Sequence, residues 1–139
     1  MARAIIIHSL EQARAALAAA ATLRVPAELV SAKGAAGYAG PMWFRDVVRA
    51  ASAEFPQVRV TAVLDCGDAP GYALAALRAG VRAIRITCGR TVHAKIAAIA
   101  KQYGAVLRDG NGAALDLLNE NDPAAACRRW LKARKKAAG

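Results

Sequence analysis

Residues 58–87 read VRVTAVLDCGDAPGYALAALRAGVRAIRIT. Two apolar, β-branched bursts in this stretch, Val58–Asp65 and Ala83–Thr87, have the length of buried strands, and the segment between them has helical spacing. This order is typical of two parallel strands joined by a crossover helix. The same alternation recurs along the chain, where the further bursts are Ala4–His8, Ala27–Ser31 and Ala105–Arg108. We therefore predict a single α/β domain over residues 1–139, with five βα units and a parallel sheet.

Polarity within the bursts favours a three-layer, doubly wound sheet of the flavodoxin type. The first burst contains Ile5–Ile7, which is apolar on both faces and suits the middle of a sheet covered by helices on both sides. The second burst carries Glu28 and suits a sheet edge, so strand 1 is predicted between strands 2 and 3. Arg85, in the middle of the fourth burst, favours an alternative, the open half of a (β/α)8 barrel with a wet concave face. The sequence alone does not decide between the doubly wound sheet and the open half-barrel.

Capping residues mark the ends of the predicted helices. The usual signals are a proline in the first turn, a hydroxyl side chain at the N-cap and a left-handed glycine after the last turn. These signals occur at Pro41, Thr91, Gly80 and Gly104. A last helix is predicted to open after Asp122 and to span about residues 123–137.

The positive charge of the chain is concentrated in that last helix. The formal net charge is +10, and six basic residues follow Asp122 with no acid among them. Clustered bases can bind nucleic acid, but only 5% of the residues are aromatic and no helix-turn-helix or RNA-recognition motif is present. We expect a solvated basic helix that docks through Cys127, Trp130 and Leu131, and we predict no nucleic-acid partner.

Composition also bears on the compartment. No apolar run approaches the roughly 18 residues that a membrane span needs, so a membrane protein is excluded. The N-terminal residues lack the long apolar region of a secretion signal. The three cysteines include no C-x-x-C pair, which argues against a disulfide framework and fits a reducing compartment. We therefore expect a cytoplasmic protein without a membrane partner.

Two segments resemble the class II fructose-bisphosphate aldolases and their tagatose-bisphosphate relatives. They are Ser31–Gly40, which reads SAKGAAGYAG, and Leu64–Gly67, which reads LDCG. The helix start Ser9–Ala13 is similar to the N-L-E-Q-A of that family, and Ala79–Gly80 is similar to the beginning of its A-G-F-x-S-V-M segment. The likeness spans about residues 4–107, and it implies the first half of the eight-unit barrel of that family.

The resemblance assigns chemistry to Asp65 and Cys66. In the L-D-H-G segment of the family, the Asp acts in acid–base chemistry and the His binds zinc; Asp65 matches the Asp, and Cys66 replaces the His. A thiolate is also a zinc ligand. The other zinc-binding histidines and the glycine-rich phosphate loops of the family come from the later half of the barrel, and its D-G-S segment reads Thr87–Gly89 here. The resemblance therefore implies a truncated, diverged relative that has lost the aldolase reaction.

Ligands of open parallel sheets bind beyond the carboxyl ends of the strands. There we predict Asp65 as a catalytic general base and Cys66 as a metal ligand. The residues predicted to bind a ligand are His8, Ser31, Lys33, Asp68, Arg90, Thr91 and Asn111. Structural roles are the alternatives: a turn cap for Asp65, a helix cap for Asp68, a small buried hydrophobe for Cys66 and a hydrogen-bonded group for His8.

Three functions stay open on these residues. The first is a non-catalytic, aldolase-like protein that binds a small anionic or sugar-phosphate ligand at the strand ends, where the glycine-rich loop Lys33–Pro41 could act as a lid. The second is a metal-dependent lyase that uses Asp65. The third is a domain that forms a homo-oligomer through exposed sheet edges. Neither nucleotide-binding glycine motif is present, and the sequence identifies no cofactor.

Overall fold

The structure of the chain is a computed structural model that describes residues 3–108, 110 and 112–138, with side chains to residue 133. Strands and helices alternate along the chain. In chain order they are β1 (Ala4–Ile7), α1 (Leu10–Leu23), β2 (Ala27–Ser31), α2 (Ala35–Tyr38), α3 (Pro41–Glu54), β3 (Val60–Asp65), α4 (Pro70–Arg78), β4 (Ala83–Arg85), α5 (Arg90–Gln102), β5 (Val106–Leu107), β6 (Ala114–Asp116) and α6 (Pro123–Ala138). No helix among the described residues is long and apolar enough to cross a bilayer.

The described strands form a sheet in the order β5-β4-β3-β2-β1-β6. The pairs β1–β6, β3–β4 and β4–β5 are parallel, with Ile5 opposite Leu115 in the first of them and Leu64 opposite Ile84 in the second. Parallel pairing requires a crossover connection, which the intervening helices supply. The predicted α/β class with a parallel sheet is confirmed.

The strand order corrects one expectation. Strand 1 does not lie between strands 2 and 3: β2 pairs with both β1 and β3, so Glu28 is not on an edge strand. Ile5–Ile7 nevertheless lies inside the sheet, because a sixth strand, β6, covers the other side of β1. That strand of three residues is too short to show a period in the sequence. The consecutive order of β1 to β5 is the one that the half-barrel alternative predicts.

The chain divides into two compact units. Unit 1 consists of Met1–Val30, Val47–Thr61 and Gly112–Gly139, and unit 2 consists of Ser31–Asp46 and Ala62–Asn111. In unit 2, α4 packs against α5, and the buried core contains Phe44, Leu64, Leu77, Ile84 and Ile96.

In unit 1, helix α6 packs against α1. The buried residues of α1 are mostly alanines, and small side chains let two helices approach closely. From α6, Cys127 and Leu131 are fully buried, as predicted, and the half-buried Trp130 donates its indole N–H to the carbonyl of Ala4. The guanidinium of Arg3 lies 3.4 Å from the centroid of the Trp130 ring, a cation–π contact. The apolar face therefore docks, while Arg128, Arg129 and Lys132 are exposed.

Several predicted helix ends are confirmed and two are wrong. Gly80 and Gly104 have φ of 90° and 72°, in the left-handed region, and Pro41 begins α3. Helix α5 begins at Arg90 after an N-cap at Gly89, so Thr91 lies in the first turn and not at the cap.

The second error concerns the start of α4. Its N-cap is Ala69, whose methyl side chain cannot accept a hydrogen bond, and Pro70 occupies the first helical position. Asp68 is therefore not a helix cap. The predicted loop Lys33–Pro41 also contains the short helix α2, and two of its alanines are buried.

Neighbouring leucines after β6 test this packing. Leu117 is fully buried, whereas 59% of Leu118 is exposed. We expect L117A to lower the free energy of unfolding by about 2–5 kcal/mol, because it leaves a cavity in the core, and L118A to change it by less than about 0.5 kcal/mol. Urea denaturation followed by circular dichroism measures both values. Equal losses in the two variants would contradict the described burial.

Candidate functional site

In unit 2, the carboxylate of Asp65 holds two loops together. Asp65 ends β3, is 8% exposed, and its Oδ1 accepts hydrogen bonds from the backbone N–H groups of Gly34, at 2.9 Å, and Gly67, at 2.8 Å. Both glycines have left-handed φ, 72° and 62°, and a Cβ on Gly67 would lie 3.6 Å from the Cα of Gly34. The glycines allow the two loops to turn sharply and approach each other, and the carboxylate joins them.

Ser31 makes a second connection between β2 and β3. Its Oγ accepts a hydrogen bond from the backbone N–H of Asp65 at 2.9 Å and donates one to the carbonyl of Ala32 at 3.0 Å. Ser31 is 2% exposed, and its bond to the N–H of Asp65 is buried and shielded from water. The sequence correctly placed Ser31 and Asp65 together at the carboxyl ends of adjacent strands. Both hydrogen-bonding capacities of the serine are used within the protein.

Cys66 lies next to this pair and is buried. Burial, and secondarily the charge of Asp65, raise the pKa of the Cys66 thiol to about 12. Its Sγ contacts the carbonyl of Leu64 at 3.7 Å. Among the described residues, no group of three His, Cys, Asp or Glu side chains is placed to hold a metal ion. These observations favour a small buried hydrophobe at Cys66, and its role as a metal ligand stays a prediction.

The other predicted residues of unit 2 lie on the surface. Lys33, Asp68, Arg90 and Thr91 are exposed. Arg90 and Thr91 occupy the first turn of α5, where the N-cap Gly89 offers no side chain and the turn contains no acid. The first N–H groups of a helix have no partner within the helix, and its dipole favours an anion there. Asn111, and Asp109 beside it, lie outside the described residues.

In unit 1, His8 is tied to a residue that the sequence did not single out. Its Nε2 lies 2.7 Å from Oδ1 of Asp116, at the end of β6, and its backbone N–H donates to the side chain of Gln12 at 2.7 Å. The amide of Gln12 donates in turn to the carbonyl of Leu117 at 3.0 Å. His8 therefore links β1 to β6, which agrees with the structural alternative for this residue.

The ionised form of Asp116 is favoured at this position. Partial burial acts against the charge, but hydrogen bonds from the backbone N–H of Leu118 and from His8, together with the charge of His8, lower the pKa of Asp116 below its ordinary value. This pair could not be predicted from the sequence, because 108 positions separate the two residues and β6 was not predicted. The only signal was an acid after a short apolar stretch, Ala114–Leu115.

Comparison with known proteins identifies the fold. No protein-family model matches the chain, and no curated protein matches it. A solved structure from Coccidioides immitis, assigned as a fructose-1,6-biphosphate aldolase, matches 76% of this chain with a TM-score of 0.64 and 21% sequence identity. The fold of this chain is aldolase-like. The match covers 39% of the Coccidioides chain, so this chain spans well under half of that aldolase-like protein.

The bridging role of Asp65 can be tested with its neighbour as control. We expect D65A to lower the free energy of unfolding by about 2 kcal/mol or more, because it leaves two partly buried N–H groups without an acceptor. D65N retains a side-chain oxygen and should lose less. D68A removes the same charge from an exposed position and should change stability by less than about 0.5 kcal/mol. Thermal or urea unfolding measures all three, and equal stability of D65A and D68A would refute the bridge.

The burial and the raised pKa values of two thiols predict the order in which the cysteines are alkylated. A thiol with a pKa near 12 is about one part in ten thousand thiolate at pH 8, and the thiolate is the reactive form. Burial, and to a lesser degree the charge of Glu120, also raise the pKa of Cys127 to about 11 against the opposing effect of Arg128. We expect iodoacetamide to modify the half-buried Cys88 first in the folded protein at pH 8. Peptide mass spectrometry measures the order in which the cysteines are modified. Modification of Cys66 as fast as Cys88 would contradict the prediction.

Proposed function

We propose that this chain binds a small anionic or phosphorylated ligand at the carboxyl end of β4 in unit 2 and does not catalyse aldol cleavage. The observation that carries this proposal is the start of α5. Gly89 leaves the helix N-terminus without a side-chain cap, and the exposed Arg90 and Thr91 follow in a first turn that contains no acid. Free N–H groups, a guanidinium and a hydroxyl at one helix start match the acceptor oxygens of a phosphate.

The exposed charges of the same unit allow such a ligand. Lys33 follows β2 and supplies a second cation at the carboxyl ends of the strands, where open parallel sheets bind their ligands. Asp68 follows β3 and would repel a phosphate group, but its carboxylate can accept a hydrogen bond from a ligand hydroxyl. This combination suits a polyhydroxylated phosphate more than a bare anion.

The buried groups at the end of β3 support binding without catalysis. Oδ1 of Asp65 accepts two backbone hydrogen bonds, and Ser31 uses its hydroxyl as both donor and acceptor. A general base needs a free oxygen within reach of the proton that it removes, and Oδ1 of Asp65 is already engaged by the N–H groups of Gly34 and Gly67. The raised pKa of the Cys66 thiol keeps it protonated near neutral pH, and a protonated thiol is a weak nucleophile. We therefore assign Asp65 the role of a positioning residue for the loops of Gly34 and Gly67.

The aldolase-like fold suggests the probe. The solved neighbour is assigned as an aldolase that acts on a sugar bisphosphate, fructose 1,6-bisphosphate. As part of the proposal, we extend that ligand class to this chain. We expect fructose 1,6-bisphosphate to bind more tightly than inorganic phosphate and to shift the amide resonances of residues 89–92 in NMR titrations. No cleavage to triose phosphates is expected.

Arg82 provides a matched control for Arg90. Arg82 and Arg90 are both exposed and lie on either side of β4, so R82Q and R90Q change the net charge equally. We expect R90Q to weaken binding about tenfold or more, since hydrogen bonds to charged groups contribute about 1.5–3 kcal/mol, and R82Q to leave it unchanged. Equal affinities of R82Q and R90Q would refute the site. Zinc-dependent cleavage by the wild-type chain that is lost in D65N would refute the non-catalytic part and support the lyase alternative.

A further inference from the structure

We propose a second ligand site in unit 1, a cleft of about 570 Å³ between the turn after α1 and the turn after α3. Two arginines line it, Arg24 from the first turn and Arg59 from the second. Its apolar wall is formed by Val25, Pro26 and Val58. The volume lies in the range of small-molecule sites, which are mostly apolar with a few placed polar groups. This cleft takes a small organic anion, that is, a phosphate or carboxylate carried on an apolar body.

Backbone hydrogen bonds hold the two sides of the cleft together. The N–H of Ala27 donates to the carbonyl of Arg59 at 3.0 Å, which joins the start of β2 to the segment before β3. The N–H of Val25 donates to the carbonyl of Ala20 at 3.1 Å, and that of Val58 donates to Phe55 at 3.0 Å. The first turn is thus closed on α1, the second is closed on the residue that follows α3, and one bond joins the two turns. A cleft with fixed walls loses little freedom when a ligand binds.

Arg24 has an unusual backbone for its residue type. It ends α1 with φ of 56° and ψ of 47°, and it is the one non-glycine residue with positive φ among those described. Helices that end in this conformation usually have glycine there, because a Cβ disfavours it. For the backbone alone, glycine would be the better residue. The side chain of Arg24, which a glycine would lack, lines the cleft.

The charges of the cleft have no internal partner. Within the part of the chain that the structure describes, neither Arg24 nor Arg59 forms an ion pair, and both are exposed. The nearest acid in sequence to Arg59, Glu54, is paired with Arg14. The cleft contains no carboxylate, and Gln57 adds an uncharged amide. Two guanidinium groups beside an apolar wall match an anion that carries an apolar group, since guanidinium binds phosphate and carboxylate oxygens through paired hydrogen bonds.

Phenyl phosphate is a suitable probe, with inorganic phosphate as the anion that lacks the apolar body. We expect calorimetric or NMR titration to show saturable binding of phenyl phosphate, at least about tenfold tighter than inorganic phosphate. The amide resonances of residues 24–27 and 57–60 should shift. R24G and R59Q should each weaken binding about tenfold or more. R129Q removes an equal charge from α6, outside the cleft, and should bind as the wild type does.

Thermal unfolding excludes misfolding as a cause of lost binding. R24G places glycine at a left-handed position, so its Tm should equal or exceed that of the wild type even though binding is lost. Binding by R24G and R59Q as tight as by the wild type would overturn the proposal, and so would the absence of saturable binding. We expect this site to be independent of the one at α5. R90Q should therefore leave the shifts that phenyl phosphate causes at residues 24–27 unchanged. Loss of those shifts in R90Q would also overturn it.

Discussion

The arrangement at the end of β3 depends on one side-chain oxygen. Oδ1 of Asp65 accepts the backbone N–H of Gly34 and of Gly67, and both residues have left-handed backbone. A buried N–H without an acceptor is costly, so the carboxylate and the two glycines form one unit. Ser31 adds a bond to the N–H of Asp65 itself. The segment that resembles the aldolases is therefore built around an acid that the backbone holds in place.

This arrangement separates two roles that one residue type can fill. An acid at a strand end can transfer protons when an oxygen is free, or it can hold loops when its oxygens accept backbone hydrogens. Here the sequence resemblance suggested the first role and the hydrogen bonds favour the second. The aldolase-like fold is compatible with either, because the same fold supports many functions through the residues placed at its strand ends.

Much of the architecture could be predicted from the sequence, and the errors have physical causes. The apolar bursts and the glycines Gly80 and Gly104 marked strands and helix ends correctly, because these signals are local. The position of β6 could not be predicted, because a three-residue strand has no periodicity and its pairing with β1 depends on residues more than 100 positions away. The pairing of Asp116 with His8 could not be predicted for the same reason, because the two residues lie 108 positions apart in the sequence. Ser31 and Asp65 were predicted together because parallel strands place their carboxyl ends side by side, but their hydrogen bonds could not be foreseen.

The docking of α6 onto α1 affects how the polypeptide reaches its native state. Arg3 and Trp130 contact each other across 127 positions, and the pairing of β1 with β6 spans a similar distance. Such contacts require closure of a very long loop, which slows folding relative to contacts made between neighbours in sequence. The contacts within unit 2 join residues between 31 and 111, so they close shorter loops than the contact between Arg3 and Trp130. Because unit 1 includes α6, its N-terminal strand and helix cannot complete their packing until α6 has been synthesised.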